Sequence, residues 1–153
     1  MELKLELKRY KIGSDYIDGQ LFVNGRKLCD TVENMAMSLP GGTYPVVMHH
    51  CKLRGYDVPV VLTRGFKTRP RCSRCRIIEL AGYNTALPCV CTQICPGNGM
   101  SGRRDSAIIV GTCRASGCLV FPERAFAQVC GIVRRIISGG GRVTIRITDM
   151  FEL

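Results

Sequence analysis

Alternation of charged and apolar residues at the beginning of the chain is the pattern that most restricts its fold. Between residues 2 and 8 every second residue is a leucine, so Leu3, Leu5 and Leu7 would share one face. A period of two is typical of a β-strand with one buried and one exposed face. We therefore expect the chain to begin with a half-buried strand.

Several further runs are strand-like and are separated by turn residues. The runs 16–23 and 27–32 flank Asn24-Gly25, a dipeptide that favours a tight hairpin because both residues tolerate positive φ. Later strand candidates cover residues 43–49, 58–62, 76–80, 107–110, 118–121 and 143–148. The chain is thus predicted to be mainly β.

One amphipathic helix is predicted near the C-terminus. It begins at Pro122, which suits a first helical turn, and the glycines at 139–141 end it. Between them, apolar residues recur three and four positions apart: Ala125, Phe126, Val129, Ile132, Val133, Ile136 and Ile137. At 153 residues the chain fits one ordinary domain, 1–153, of the α+β, mainly β class.

Ten cysteines are the unusual part of the composition. A chain of this length can bury a core without covalent staples. The first residues alternate leucine with charge and do not form a basic start followed by an apolar stretch, so no secretory signal is indicated. No run is long enough to cross a membrane. A cytoplasmic protein is therefore expected, and because disulfides are rare there, the thiols are metal ligands, core residues or nucleophiles.

Four of the cysteines have the spacing of a structural zinc site. Cys72 and Cys75 form one close pair, and Cys89 and Cys91 form a second pair further along the chain. Two close pairs on separate loops can surround one ion with four sulfurs, the tetrahedral arrangement that zinc prefers. Since only one residue separates the second pair, Cys95 is an alternative fourth ligand. A set of partly buried free thiols is the other interpretation.

Cys118 is the candidate catalytic residue. It follows Ser116-Gly117 just before the helix, where a glycine turn and a helix N-terminus can lower a thiol pKa. The two histidines, His49 and His50, are the available bases, expected as one exposed and one half-buried imidazole at a strand end. The simpler interpretation makes Cys118 a small packing residue. Three other cysteines are interpreted as core residues from their places on strands or helix: Cys29, Cys113 and Cys130.

The surroundings of Cys118 resemble the C-terminal part of YkuD-type L,D-transpeptidases, which cross-link peptidoglycan. The matching stretches are Ala115-Ser116-Gly117-Cys118-Leu119, Ala125-Phe126 and Gly140-Gly141-Arg142-Val143-Thr144-Ile145. This resemblance implies a transpeptidase-like fold and a nucleophilic cysteine that works with a histidine.

A second resemblance covers nearly the whole chain. The opening strands, Leu39-Pro40-Gly41-Gly42-Thr43-Tyr44, and the stretch from Pro96-Gly97-Asn98-Gly99 to Ile108-Ile109-Val110-Gly111 are similar to an uncharacterised family of phages and gut bacteria, domain-of-unknown-function family 5675. Its members carry Ile-His-x-Gly-Asn and, later, Gly-Cys before Ile-hydrophobic-Val-Gly. Here Cys95 replaces that histidine, and Ser106-Ala107 replaces Gly-Cys. The resemblance therefore implies a phage-related, degenerate relative.

Positive charge is concentrated in the cysteine-rich segment 64–99. The chain has 22 Lys and Arg against 12 Asp and Glu, a net charge of +10. A run of cations without any acidic residue comprises Arg64, Lys67, Arg69, Arg71, Arg74 and Arg76. Such a run favours phosphates or another anionic polymer as partner, peptidoglycan included, whereas the plainer interpretation is a solvated basic face.

Three functions are compatible with these patterns. The favoured one is a non-catalytic, zinc-stabilised domain with a binding role, because the family histidine is missing. The second is a cysteine-dependent enzyme that acts on peptidoglycan peptides through Cys118. The third is a basic zinc knuckle that binds nucleic acid.

Overall fold

The structure of the protein, a computed structural model, describes residues 1–51, 55–62, 92–99 and 107–151. These ranges contain nine β-strands and one α-helix. The strands are β1 (Glu2–Ile12), β2 (Tyr16–Val23), β3 (Arg26–Asn34), β4 (Gly42–Cys51), β5 (Tyr56–Val61), β6 (Thr92–Pro96), β7 (Ala107–Ala115), β8 (Cys118–Val120) and β9 (Arg142–Asp149). A short 3-10 turn, Met35–Met37, follows β3, and the helix α1 spans Pro122–Ser138.

Eight of the strands form a closed ring. Hydrogen bonds join them in the order β3-β2-β1-β9-β4-β5-β6-β7, and a further pairing of β7 with β3 connects the two ends of that order. Strand β9 lies parallel to β1, β6 lies parallel to β7, and the other ring pairs are antiparallel. Strand β8 pairs with the far half of β7, outside the ring. Closure pairs strand edges that an open sheet would leave exposed.

Apolar residues at alternate strand positions fill one buried cluster. Leu3, Leu5 and Leu7 belong to it, as the alternation at the start of the chain predicts. Helix α1 adds Ala125 and Val129 to the same cluster and contacts strands from all around the ring, namely β1, β3, β4, β5, β6, β7 and β9. One face of the helix therefore shares its core with the inner faces of the strands.

A second, smaller cluster lies on the other face of β3, β6 and β7. Neighbouring residues of one strand divide between the two clusters, since Ile94 belongs to the first and Cys95 to the second. Its members, which we call the outer cluster, are Val32, Cys95, Ala107, Ile109 and Leu119, with Tyr16 packed against them. Strand β8 covers this face through Leu119.

A buried ion pair continues the leucine row of β1. Arg9 occupies the next alternate position and is only 2% exposed. Its guanidinium donates two hydrogen bonds to the carboxylate of Glu33 on β3, at 2.9 and 2.8 Å, and Glu33 is also 2% exposed. A third bond, 3.2 Å long, reaches Asp149 on β9, whose side chain is half-exposed. The ion pair thus links three strands.

The structure confirms the mainly β, α+β class with one helix near the C-terminus. The hairpin at Asn24-Gly25 is also confirmed, with φ of 51° and 76°. Strand β6 is an addition that the sequence patterns did not predict, and the predicted strand at 76–80 lies outside the described residues. The extent of one domain over 1–153 stays a prediction. Within the described ranges, no helix has the length and hydrophobicity needed to span a bilayer.

Candidate functional site

Cys118 is the first residue of β8 and is exposed. The turn before it is held by one carboxylate of β2, because Asp18 accepts hydrogen bonds from Ser116 Oγ at 2.6 Å and from the Gly117 amide at 2.9 Å. The hydroxyl of Tyr16 lies 2.8 Å from the same Ser116 Oγ. Gly117 has a φ of 76°, which favours glycine. The turn that carries the thiol is therefore held by two residues of β2.

The structure brings together two segments that carry the family resemblance. Asn98 O accepts a 2.8 Å hydrogen bond from the Leu119 amide, and Asn98 Nδ2 donates one of 3.1 Å to Leu119 O. Gly99 forms an isolated bridge with Cys118, and a Cβ on Gly99 would lie 2.5 Å from Gly117 O. Glycine at position 99 is needed for this close approach.

Neither histidine shares a hydrogen bond with Cys118 in the described part of the chain. His50 Nδ1 lies 2.9 Å from the carboxylate of Asp57, across the β4–β5 pair. His49 is half-buried, and burial together with His50 lowers the pKa of its imidazole. The prediction of one exposed and one half-buried histidine at a strand end is confirmed.

Two interpretations of single cysteines are wrong. Cys118 is not a packing residue, because it is exposed. Cys113 is not a core residue either, because it lies where β7 has left the ring and pairs only with β8, and its amide donates to Asp30 at 2.7 Å. Cys29 and Cys130 are buried, as predicted. Burial raises the pKa of the Cys29 thiol to about 12, which keeps it protonated.

The positions where the similar family has histidine and cysteine lie in the outer cluster. Cys95 is 0% exposed and Ala107 is 3% exposed. Parallel pairing of β6 with β7 places them on neighbouring strands, with Cys95 opposite Ile109 and Gln93 opposite Ala107. Both residues are packed among the apolar side chains of the outer cluster.

The four predicted zinc ligands, Cys72, Cys75, Cys89 and Cys91, lie outside the described residues. Within the described ranges no cluster of His, Cys, Asp or Glu could hold a metal. The structure does place the chain on either side of these four cysteines, because Val61 near the end of β5 pairs with Thr92 at the beginning of β6. The chain therefore leaves and re-enters the ring at one point.

A groove runs beside α1 that the sequence patterns did not predict. We call it the helix groove, and its volume is about 370 Å³. Its lining residues are Tyr56, Asp57, Pro96, Glu123, Phe126, Ala127, Cys130, Gly131 and Arg134. The rings of Tyr56 and Phe126 are 5.5 Å apart and tilted by 57°. The sequence does contain one signal for this groove, Gly131 in the middle of the predicted helix. Glycine weakens a helix, and no local feature requires it at this position.

No family model, curated protein or solved structure matches this chain. The similarity to family 5675 and to the L,D-transpeptidases therefore stays a prediction based on the motifs quoted above.

Proposed function

We propose that this chain is a non-catalytic binding domain, a degenerate relative of L,D-transpeptidase-like proteins, with a structural zinc ion. The observation that carries the proposal is the burial of Cys95 and Ala107 in the outer cluster. A nucleophile and its base must both reach the substrate, and these two positions contain no histidine and are closed to a substrate by burial. Cys118, whose thiol is exposed, has no histidine bonded to it among the described residues.

The proposal predicts that the purified protein leaves muropeptides unchanged. Muropeptides with tetrapeptide stems are incubated with the protein, and both cross-linked products and cleaved stems are followed by mass spectrometry. We expect no turnover, because no described base is placed to remove the thiol proton of Cys118. Turnover that disappears in Cys118→Ala but persists in Cys113→Ala, the neighbouring exposed thiol, would contradict the proposal.

That contrary outcome would establish the second candidate, a cysteine enzyme acting on peptidoglycan. One observation favours it: the exposed thiol of Cys118 stands on a turn fixed by Asp18 and flanked by Gly99. A nucleophile requires a support of fixed geometry.

The partners expected from the basic run are an anionic polymer or nucleic acid, and they depend on residues outside the described ranges.

Zinc is proposed at Cys72, Cys75, Cys89 and Cys91. Their spacing supports it, as does the pairing of Val61 with Thr92, which holds the chain before and after the four cysteines at one place in the ring. A long connection between adjacent strands needs ordering of its own, and four thiolates around one metal ion supply it.

Elemental analysis of the purified protein is expected to give about one zinc per chain, the stoichiometry of a four-cysteine site. Cys72→Ser and Cys89→Ser should each lower the zinc content, since each removes one of four ligands, while Cys113→Ser should leave it unchanged. Equal zinc content in all three variants, or none in the unaltered protein, would exclude this site.

A further inference from the structure

The helix groove is lined by the beginning of β5, the end of β6 and one face of α1. Within the described residues, the ladder between β5 and β6 consists of two pairs, Val60 with Gln93 and Val61 with Thr92. The groove lies away from these pairs, beside Tyr56, Asp57 and Pro96. The Cys130 thiol fixes the helix there, because its Sγ donates to Asp57 O at 3.6 Å and accepts from Arg134 at 3.5 Å. The groove is thus part of the fold's framework.

Gly131 lies in the wall of this groove and has no structural reason to be glycine. Its φ is not positive, and a Cβ built on it would meet no atom within 4 Å. Glycine inside a helix is less favourable than alanine because it loses more backbone freedom on folding. A ligand that lies against the helix backbone would account for the missing side chain.

Charge and apolar surface are arranged in order along the groove. Glu123 and Arg134 are exposed near its two ends, separated by 134 − 123 = 11 residues of α1, or about 16 Å of helix at 1.5 Å per residue. Between them lie Ala127, Gly131 and the ring of Phe126, with Tyr56 and Asp57 on the opposite wall. The Asp57 carboxylate is paired with His50, 2.9 Å from its Nδ1. A chain of about five extended residues has the same length, at roughly 3.3 Å per residue.

We propose that the helix groove binds an extended peptide of about five residues with an apolar centre, a cation at the Glu123 end and an anion at the Arg134 end. The proposal deepens the binding role proposed above and rests on it. Three features of the groove indicate a peptide of this kind: the opposite charges at its two ends, its apolar middle and the open space at Gly131.

Blocked pentapeptides without terminal charges test the proposal by fluorescence anisotropy. The mixed-charge probes are Lys-Thr-Leu-Thr-Glu and its reversed order, which allow either chain direction, and the same-charge probes carry Lys or Glu at both ends. We expect the mixed-charge peptides to bind at least about fivefold more tightly, because one rim charge is worth about that factor. Replacing the central Leu with Ser should weaken binding by a similar factor.

Charge exchange on the protein gives the decisive comparison. Arg134→Glu should transfer the preference to the peptide with two Lys, and Glu123→Lys should transfer it to the peptide with two Glu. Arg135→Glu, which reverses a neighbouring exposed charge outside the groove, should leave the preference unchanged. Gly131→Leu should abolish binding of every peptide while keeping or raising the melting temperature.

Three results would overturn the proposal: no binding at millimolar peptide, a charge preference that ignores both groove variants, or an equal effect of Arg135→Glu. These results are independent of the catalytic question. Turnover of muropeptides through Cys118 would contradict the non-catalytic proposal. It would not affect a change of peptide preference in the groove variants. Failure of the charge exchange would end the groove proposal alone.

Discussion

Glu33→Ala is expected to lower the free energy of unfolding by about 3–5 kcal/mol, the usual cost of removing one partner from a buried ion pair. Glu33 receives both hydrogen bonds of the Arg9 fork, and each residue is 2% exposed. Without the carboxylate, the guanidinium charge would stay buried with Asp149 as its remaining ion-pair partner in the described residues, at 3.2 Å. Urea denaturation followed by circular dichroism measures the loss.

Two companion variants separate charge burial from packing. The double variant Arg9→Met, Glu33→Leu should regain most of the stability, because replacing a whole buried pair with apolar residues is often neutral. Asp149→Ala should cost about 1 kcal/mol or less, since its carboxylate is half-exposed and screened by water. A double variant as unstable as Glu33→Ala would show that the ion pair stabilises the fold by more than the cost of burying its two charges.

Leu5→Ala is expected to destabilise the protein by about 2–5 kcal/mol, the range for deleting a buried leucine side chain and leaving a cavity. Leu5 is 0% exposed and lies in the middle of the leucine row, paired with Val23 on one side and Ile145 on the other. Because three neighbouring ring strands meet at this position, their side chains have little freedom to move into the space.

Lys4→Ala is the matched control for Leu5→Ala. Lys4 is the adjacent residue of the same strand and is exposed, so its replacement should change stability by less than about 0.5 kcal/mol. Thermal and urea unfolding of the two variants measure the difference. Similar losses in both would mean that the leucine row is not the interior of the ring.

Local patterns predicted the elements that depend on local chemistry. The leucine alternation, the hairpin at Asn24-Gly25 and the helix from Pro122 all follow from residues a few positions apart. Strand β6 escaped prediction because Thr92–Pro96 is short, does not alternate and is mostly buried on both faces. Closure of the ring by β3 and β7 depends on residues far apart in sequence, and no local pattern encodes it.

The parts of the site that lie in one contiguous motif could be predicted from the sequence. Ser116-Gly117-Cys118 was identified from the sequence, but its support by Asp18 was not. Asp18 is separated from Ser116 by 98 positions and from Gly117 by 99 positions in the sequence. Strand alternation also could not show that β7 leaves the ring before Cys113, which exposes that thiol. The helix groove forms between α1, the beginning of β5 and the end of β6, an arrangement that no local pattern shows.

The position of β9 has a consequence for how the chain is made. Strand β9 lies between β1 and β4 and pairs with both, so the ring cannot close until residue 149 has left the ribosome. Until then the facing edges of β1 and β4 stay open, and open edges are where nascent chains pair wrongly. Pairings between the first and last strands also have long loop-closure distances, which slow folding. Synthesis of β9, more than growth of any earlier segment, therefore sets when this ring can close.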